Sequence, residues 1–225
     1  MNSWEPEAHH LSVTRTARYY TLGRPGPSVQ TCWFVLHGYG QLAGSFLEAF
    51  RPLADASRLF VAPEGLSRFY LEGFSGPVGA SWMTREDRTA EIADYVAYLD
   101  ALYTRLQAQL PNAALHVLGF SQGAATACRW LALGRARARR LILWAGDVPE
   151  DLPAEATRRL PTPELVFGTR DRLIDVTRRQ QLVARLERLD LHPVVHLFDG
   201  GHRLHEPLLR ELLSARPSSP FPETE

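Results

Sequence analysis

One short segment, residues 118–125 with the sequence LGFSQGAA, constrains the fold of this chain more than any other. It follows an apolar run typical of a strand and precedes a run of small residues typical of a helix, so Ser121 falls at a strand-to-helix turn. Glycines two residues before and two after the serine leave free the space that a Cβ atom would fill. A glycine-rich turn with an incidental serine is the alternative, but the flanking strand and helix favour a nucleophile.

The rest of the chain alternates short apolar runs with longer amphipathic runs, which predicts a mostly parallel central sheet with helices on both faces. The apolar runs TCWFVLH, LHVLG and LILWA should form the middle of that sheet. The predicted strands are 11–21, 31–37, 58–62, 113–119, 140–145, 163–168 and 193–198. The predicted helices are 43–56, 86–109, 122–133, 175–189 and 203–214.

Three residue patterns predict where helices begin and end. Thr84 followed by Asp87 resembles a capping box ahead of the long helix. Gly134 should end the helix that follows the nucleophile turn. Asp175 is placed to cap the next helix at its start.

We expect a single domain over residues 11–215, with loose ends at 1–10 and 216–225. In the 225 residues, 25 basic side chains balance 25 acidic ones, so the chain has no positive field that would attract nucleic acid or anionic lipid. No apolar run is long enough to span a membrane, and the start lacks a secretory pattern. We therefore expect a cytoplasmic protein, with Cys32 and Cys128 as buried reduced thiols.

A serine nucleophile needs a histidine base. His202 is the best placed of the eight histidines, because it lies in a DGGH loop directly after a predicted strand and before a helix. His205 could form a metal-binding pair with it, but no third ligand has suitable spacing, so a metal site is the minor interpretation.

Asp171, in the segment GTRDRLID after another predicted strand, is the candidate for the acid that orients the histidine. Aspartates in loops often only stabilise turns, so this residue type alone is weak evidence. The chain order Ser121, Asp171, His202 adds to it, since that order is typical of α/β-hydrolases.

An oxyanion hole completes such a site. The loop His37-Gly38-Tyr39-Gly40 ends the TCWFVLH strand, and its glycines allow close approach of backbone to substrate. We assign the two donors to the backbone N–H groups of Tyr39 and Gln122.

The segments LHGYG, GFSQGAA, GTRDRLI and GGH, with ASWM before the long helix, together resemble the phospholipase/carboxylesterase family, which includes acyl-protein thioesterases and bacterial carboxylesterases. The resemblance implies an α/β-hydrolase fold, hydrolysis of carboxylic esters or thioesters, and no cofactor or metal. It also implies that Trp82 lines an acyl pocket; the alternative is that Trp82 is a core residue. Leu173, from its position in the acid loop, is a weaker candidate for the same wall. The chain departs from the family at Tyr39, Asp147 and 69–79, which affects the substrate rather than the chemistry.

The interval 146–162, where this fold often inserts a lid, is too short to form a domain. We therefore expect an open groove without a lid domain, suited to esters or thioesters of small to medium acyl chains. The small-molecule substrate would be the main partner, without stable membrane insertion, and a homodimer is possible. A serine peptidase and a non-catalytic binding protein on the same fold are the alternatives.

Overall fold

The computed structural model describes residues 6–214, and a seven-stranded sheet forms its centre. Within these residues the strands are β1 (Tyr19–Leu22), β2 (Thr31–Leu36), β3 (Arg58–Pro63), β4 (Ser67–Tyr70), β5 (Val78–Ser81), β6 (Ala114–Phe120), β7 (Arg140–Trp144), β8 (Pro163–Gly168) and β9 (Val194–Phe198). The sheet order is β1-β3-β2-β6-β7-β8-β9, and only the β1–β3 pair is antiparallel. Strands β4 and β5 form a separate antiparallel hairpin.

Helices cover both faces of the sheet, as the sequence predicts. They are α1 (Ala43–Leu47), α2 (Arg88–Gln107), α3 (Gln122–Leu133), α4 (Ala154–Thr157), α5 (Val176–Glu187) and α6 (Glu206–Ser214), with a 3₁₀ helix at Glu48–Leu53. Buried side chains of α2, α3 and α5 pack on one face, and those of α1, the 3₁₀ helix and α6 pack on the other. The prediction of a mostly parallel α/β sheet is confirmed.

The three runs predicted to be central are the third, fourth and fifth strands of the sheet, β2, β6 and β7. Nearly every residue in them is buried, since helices cover both of their faces. Full burial of one large aliphatic or aromatic side chain contributes about 1.5–3 kcal/mol. These strands therefore supply much of the stability that holds their carboxyl ends in place.

The first predicted strand, 11–21, is wrong over most of its length. Only β1 pairs with the sheet, and Leu11 and Val13 are exposed, so nothing buries the apolar side chains that suggested a strand. Residues 6–18 instead run along the surface without regular structure. Their last residue is held by Glu64, whose backbone N–H donates to the Arg18 carbonyl and whose carboxylate accepts from the Arg18 guanidinium.

Helix boundaries differ from the prediction where the backbone cannot continue an α-helix. The predicted helix 43–56 changes to a 3₁₀ turn containing Pro52, because proline lacks the N–H that an α-helix needs. The predicted capping box is wrong: Asp87 has a left-handed backbone and makes no capping bond, and the Thr84 N–H donates to Glu91. Asp175 does cap its helix, accepting a 2.8 Å bond from the Arg178 N–H.

Two elements were not predicted from the sequence, the β4–β5 hairpin and the single-turn helix α4 in the interval 146–162. Among the described residues no helix is both long and apolar enough to cross a membrane.

Helix α3 ends at Gly134 as predicted. The predicted loose ends fall partly on residues 1–5 and 215–225, which lie outside the described residues.

Both cysteines are free and buried, as the sequence predicts. Burial raises the pKa of the Cys32 thiol to about 12 and that of Cys128 further still. A thiol must ionise to act as a nucleophile, so neither cysteine competes with a serine at neutral pH.

Candidate active site

Three loops that follow parallel strands bring the three predicted residues together. Ser121 follows β6, Asp171 follows β8 and His202 follows β9. Because these strands are parallel, their carboxyl ends lie at one edge of the sheet, where α/β proteins usually place their ligands.

The turn at Ser121 is strained, with φ 53° and ψ −117°. A Cβ atom on Gly119 would lie 2.3 Å from the Gly123 carbonyl oxygen, and one on Gly123 would lie 2.2 Å from the Leu36 carbonyl oxygen. Both glycines are therefore required for helix α3 to start this close to β2 and β6. The Ser121 N–H donates to the Trp144 carbonyl at 2.8 Å, which fixes the strained turn on the neighbouring strand.

A chain of hydrogen bonds links the three side chains. His202 Nε2 lies 2.8 Å from Ser121 Oγ, and His202 Nδ1 lies 2.8 Å from Asp171 Oδ2. The Asp171 side chain is completely buried, whereas 23% of the His202 side chain is exposed. With the proton on Nδ1 donated to Asp171, Nε2 is free to accept the proton of the serine hydroxyl.

The second oxygen of Asp171 serves the loop itself. Asp171 Oδ1 accepts the backbone N–H groups of Leu173 at 2.8 Å and Ile174 at 3.3 Å. The carboxylate therefore stabilises a turn and orients His202 at the same time. The two interpretations of Asp171 made from the sequence, a turn residue and the acid of the site, are compatible.

The acid loop and the histidine loop are joined by backbone contacts. Thr169 N–H donates to the Phe198 carbonyl and Arg170 N–H donates to the Gly200 carbonyl, each at 2.9 Å. A Cβ atom on Gly168 would lie 2.3 Å from that same Gly200 oxygen. Only glycine at position 168 allows the two loops to approach closely enough for the Asp171–His202 bond.

The predicted oxyanion loop is held in a tight turn. Gln41 N–H donates to the Gly38 carbonyl, and Gly40, with φ +75°, donates its N–H to the Ala80 carbonyl in the β4–β5 hairpin. Within residues 6–214 the backbone N–H groups of Tyr39 and Gln122 donate to no protein acceptor. Both donors remain available for a substrate oxygen.

His37, which the sequence did not single out, connects this loop to its surroundings. Its Nδ1 lies 2.8 Å from the Gly38 carbonyl, and its Nε2 accepts the Gly65 N–H at 3.0 Å. Burial lowers the pKa of His37, so the ring stays neutral, as a ring that must both donate and accept requires. His37 thus ties the oxyanion loop to the end of β3.

The structure places Trp82 in the core rather than on a pocket wall, which corrects the acyl-pocket expectation. The residue is 2% exposed, and its indole stacks on His37 with the ring centroids 5.0 Å apart. Its Nε1 donates to the His37 carbonyl, and its backbone N–H donates to Gln122 Oε1 at 3.0 Å. Because its ring is covered and its only donor is occupied, the indole supports the site from the core side.

Trp82→Ala is expected to lower the free energy of unfolding by about 3–5 kcal/mol, because it leaves a cavity in a packed core. The ratio of kcat/KM between short and medium acyl esters should stay as in the wild type. Thermal melting and ester kinetics on the same preparation check both parts. A changed chain-length preference in a protein of unchanged stability would instead show that Trp82 lines the acyl pocket.

A cavity of about 740 Å³ opens beside Ser121 and His202. Leu173 lies on its wall, but six charged residues also line it: Arg88, Arg129, Asp147, Glu150, Asp151 and Arg178. The sequence drew attention to Asp147 alone among them. Asp147 forms ion pairs with Arg185 at 3.1 Å and Arg178 at 3.6 Å.

His205, the possible partner of His202 in a metal site, has a structural role. Its Nδ1 accepts the Leu208 N–H at the start of α6, and its ring stacks on Phe198 with the centroids 5.0 Å apart. Within residues 6–214, no group of three or more His, Cys, Asp or Glu side chains is arranged to hold a metal ion.

One family model and several solved structures match this chain. The family model described as Serine hydrolase (FSH1) matches residues 31–206. Comparison with curated proteins finds no match. Solved structures similar to this chain include esterase PE8, at 22% identity and a TM-score of 0.66, with 89% of this chain and 97% of that chain covered.

Two further solved structures have the same fold. Acyl-protein thioesterase 2 of Zea mays is 19% identical with a TM-score of 0.68, covering 88% of this chain and 97% of that chain. The carboxylesterase of Bacillus cereus is 15% identical with a TM-score of 0.62, covering 88% of this chain and 92% of that chain. At these identities the likeness shows the fold alone.

Proposed function

The chain belongs to the serine hydrolase (FSH1) family, and from that premise we propose that it hydrolyses carboxylic esters or thioesters of small to medium acyl chains through an acyl-enzyme. The observation that carries this proposal is the hydrogen-bonded chain from Ser121 Oγ through His202 to Asp171, with Ser121 on a strained turn.

Each of the three residues has one role. His202 Nε2 takes the hydroxyl proton as Ser121 Oγ attacks the acyl carbonyl, and it then returns that proton to the leaving alkoxide or thiolate. Asp171 holds the Nδ1 tautomer and stabilises the imidazolium. A water molecule, activated by His202 in the same way, attacks the acyl-serine and releases the acid.

The tetrahedral intermediate carries a negative oxygen, which needs donors that are already in position. The free N–H groups of Tyr39 and Gln122 fit this role, and Gln122 is the first residue of helix α3, whose positive end faces the site. Loss of one such donor typically costs about 3–4 kcal/mol of transition-state stabilisation.

The open groove supports small or medium substrates. Helix α4 is the only regular element between β7 and β8 in the described chain, so nothing there can fold over the site as a lid domain. Esterase PE8, the Zea mays thioesterase and the Bacillus cereus carboxylesterase share this fold, which favours ester or thioester hydrolysis over other acyl chemistry.

The two alternatives have less support. A peptidase that binds a free amine would need an acid to recognise it, and Asp147, the candidate in the loop near the site, is already paired with Arg178 and Arg185. A non-catalytic binding protein would not need the strained φ of Ser121, which costs roughly 1–3 kcal/mol.

A series of p-nitrophenyl esters from acetate to decanoate, measured beside an acyl-thioester, tests the proposal. Turnover should be highest for short to medium chains and absent in Ser121→Ala. Failure to hydrolyse any ester or thioester, together with cleavage of peptide substrates, would favour the peptidase alternative.

A further inference from the structure

The cavity beside Ser121 contains two guanidinium groups that share one carboxylate. Arg88 Nη1 donates to Asp151 Oδ2 at 2.8 Å, and Arg129 Nη2 donates to Asp151 Oδ1 at 2.9 Å. These two arginines hold the pKa of Asp151 well below its usual range, so its carboxylate is ionised throughout the neutral range. The group of three therefore has a net positive charge of one.

Arg129 lies on the face of helix α3 that lines the cavity. Gln122, Ala125 and Arg129 are spaced three and four residues apart on α3, and all three line the cavity. With a rise of 1.5 Å per residue, position 129 lies about 10 Å along the axis from position 122. Side chains on a helix lean toward its N-terminus, and Ser121 lies at that end of α3.

Arg129 also has donors that the protein does not satisfy. Its side chain is 7% exposed, and its Nε has no hydrogen-bond partner among the described residues. Its Nη1 contacts the Met83 sulfur at 3.6 Å, which is a weak acceptor, and the buried Tyr95 hydroxyl lies near the guanidinium. Burying an arginine that shares its one carboxylate with a second arginine is costly, unless a ligand supplies further acceptors.

A second group of charges also lines the cavity. Arg178 lines the cavity, and Arg185 stands behind it, so Asp147 is again one carboxylate between two guanidinium groups. Glu150 is the remaining acidic residue of the lining, and with it this second group has no net charge, so the positive excess lies with Arg88 and Arg129. Leu173, Ile174 and Val148 give the lining an apolar part that suits methylene groups, and an anion can accept hydrogen bonds from guanidinium groups already held in position.

We propose that this pocket, formed by Arg88, Arg129 and Asp151, binds an anionic carboxylate at the far end of a short acyl chain whose ester or thioester carbonyl lies at Ser121. The preferred substrate class is then the monoester or monothioester of a short dicarboxylic acid. Water and the monoester give the dicarboxylic acid and the alcohol, with no further reactant. This assignment depends on the proposed ester hydrolysis and adds the identity of the acyl group.

The test compares matched pairs of methyl esters, with acid release followed in a pH-stat. Monomethyl glutarate, adipate and suberate are each compared with the ester in which a methyl group replaces the distal carboxylate, such as methyl hexanoate for adipate. The amide methyl adipamate separates polarity from charge, and methyl 6-aminohexanoate supplies a cation. For the best chain length, kcat/KM of the anionic ester should exceed that of its alkyl partner by about tenfold or more.

Arg88→Gln is the variant of choice, because its side chain is 36% exposed and the change leaves Asp151 paired with Arg129. The ratio of anionic to alkyl kcat/KM should fall about tenfold or more in this variant. Arg88→Glu should shift the preference toward the cationic ester. Arg51→Gln, which removes an exposed arginine paired with Glu48 on the surface, is the matched control and should keep the wild-type ratio.

The outcomes separate this assignment from the proposed function. If the alkyl esters are hydrolysed but the anionic ester has no advantage, or Arg88→Gln keeps the wild-type ratio, the carboxylate pocket is wrong while the esterase stands. An amide ester as good as the anionic one also overturns it, since polarity would then suffice. If wild-type protein hydrolyses no ester or thioester at all, both proposals fail together.

Discussion

Ser121→Ala is expected to lower kcat for ester hydrolysis by about 10⁴- to 10⁶-fold while the melting temperature stays close to that of the wild type. The change removes the only atom of residue 121 that His202 Nε2 contacts, so no nucleophile remains for the acyl carbonyl. Cys32 and Cys128 cannot substitute, since both are buried and protonated. The comparison uses p-nitrophenyl butyrate hydrolysis and thermal melting on the same preparations.

Ser28→Ala provides the matched control, because Ser28 is exposed in a surface loop far along the chain from the site. It should keep wild-type turnover. If Ser121→Ala retains more than about one hundredth of wild-type kcat, the nucleophile has been assigned wrongly, since loss of a nucleophile never leaves that much activity in a triad enzyme.

Asp171→Asn is expected to lower kcat by about 10³- to 10⁴-fold with little change in stability. Asparagine keeps an oxygen that can accept the Leu173 N–H, so the turn should survive. An amide facing His202 Nδ1 either donates to it or fails to hold its proton. The imidazole then presents the wrong tautomer to Ser121 and loses the charge that stabilises the imidazolium.

Asp175→Asn is the control for that change, since Asp175 lies four residues away in the same segment and caps helix α5. Asparagine is itself a good cap, so the free energy of unfolding should fall by less than about 1 kcal/mol and kcat should be unchanged. Measuring kcat and melting temperature for both variants decides between the carboxylates. A larger loss of turnover in Asp175→Asn would mean that Asp175 is the acid.

The three residues of the candidate site could be predicted from the sequence, because their positions depend on the order of strands and loops. Ser121, Asp171 and His202 each follow an apolar strand, and parallel strands must bring their carboxyl ends to one edge. The central strands were equally clear, because burial on both faces leaves short, continuous apolar runs rich in β-branched and aromatic residues.

What the sequence could not reveal depends on the direction in which side chains point and on contacts between distant segments. Trp82 precedes a helix whose apolar face seemed complete, yet its indole turns inward onto His37. Arg88, Arg129 and Asp151 come from three separate segments, and each alone looks like a solvent-exposed charge. Leu11 and Val13 had the composition of a strand, but no neighbouring strand is available to pair with them.

The most direct test of the central claim, that Ser121 is an activated nucleophile, is to treat the protein with a fluorophosphonate and locate the adduct by peptide mass spectrometry. Ser121 should carry one phosphonyl group in the wild type, and the Ser121→Ala protein should carry none. Labelling should also fall steeply in Asp171→Asn, because the probe reacts only with a serine whose proton His202 can accept. An adduct on any other residue, or a folded wild-type protein that takes up no label, would contradict the account.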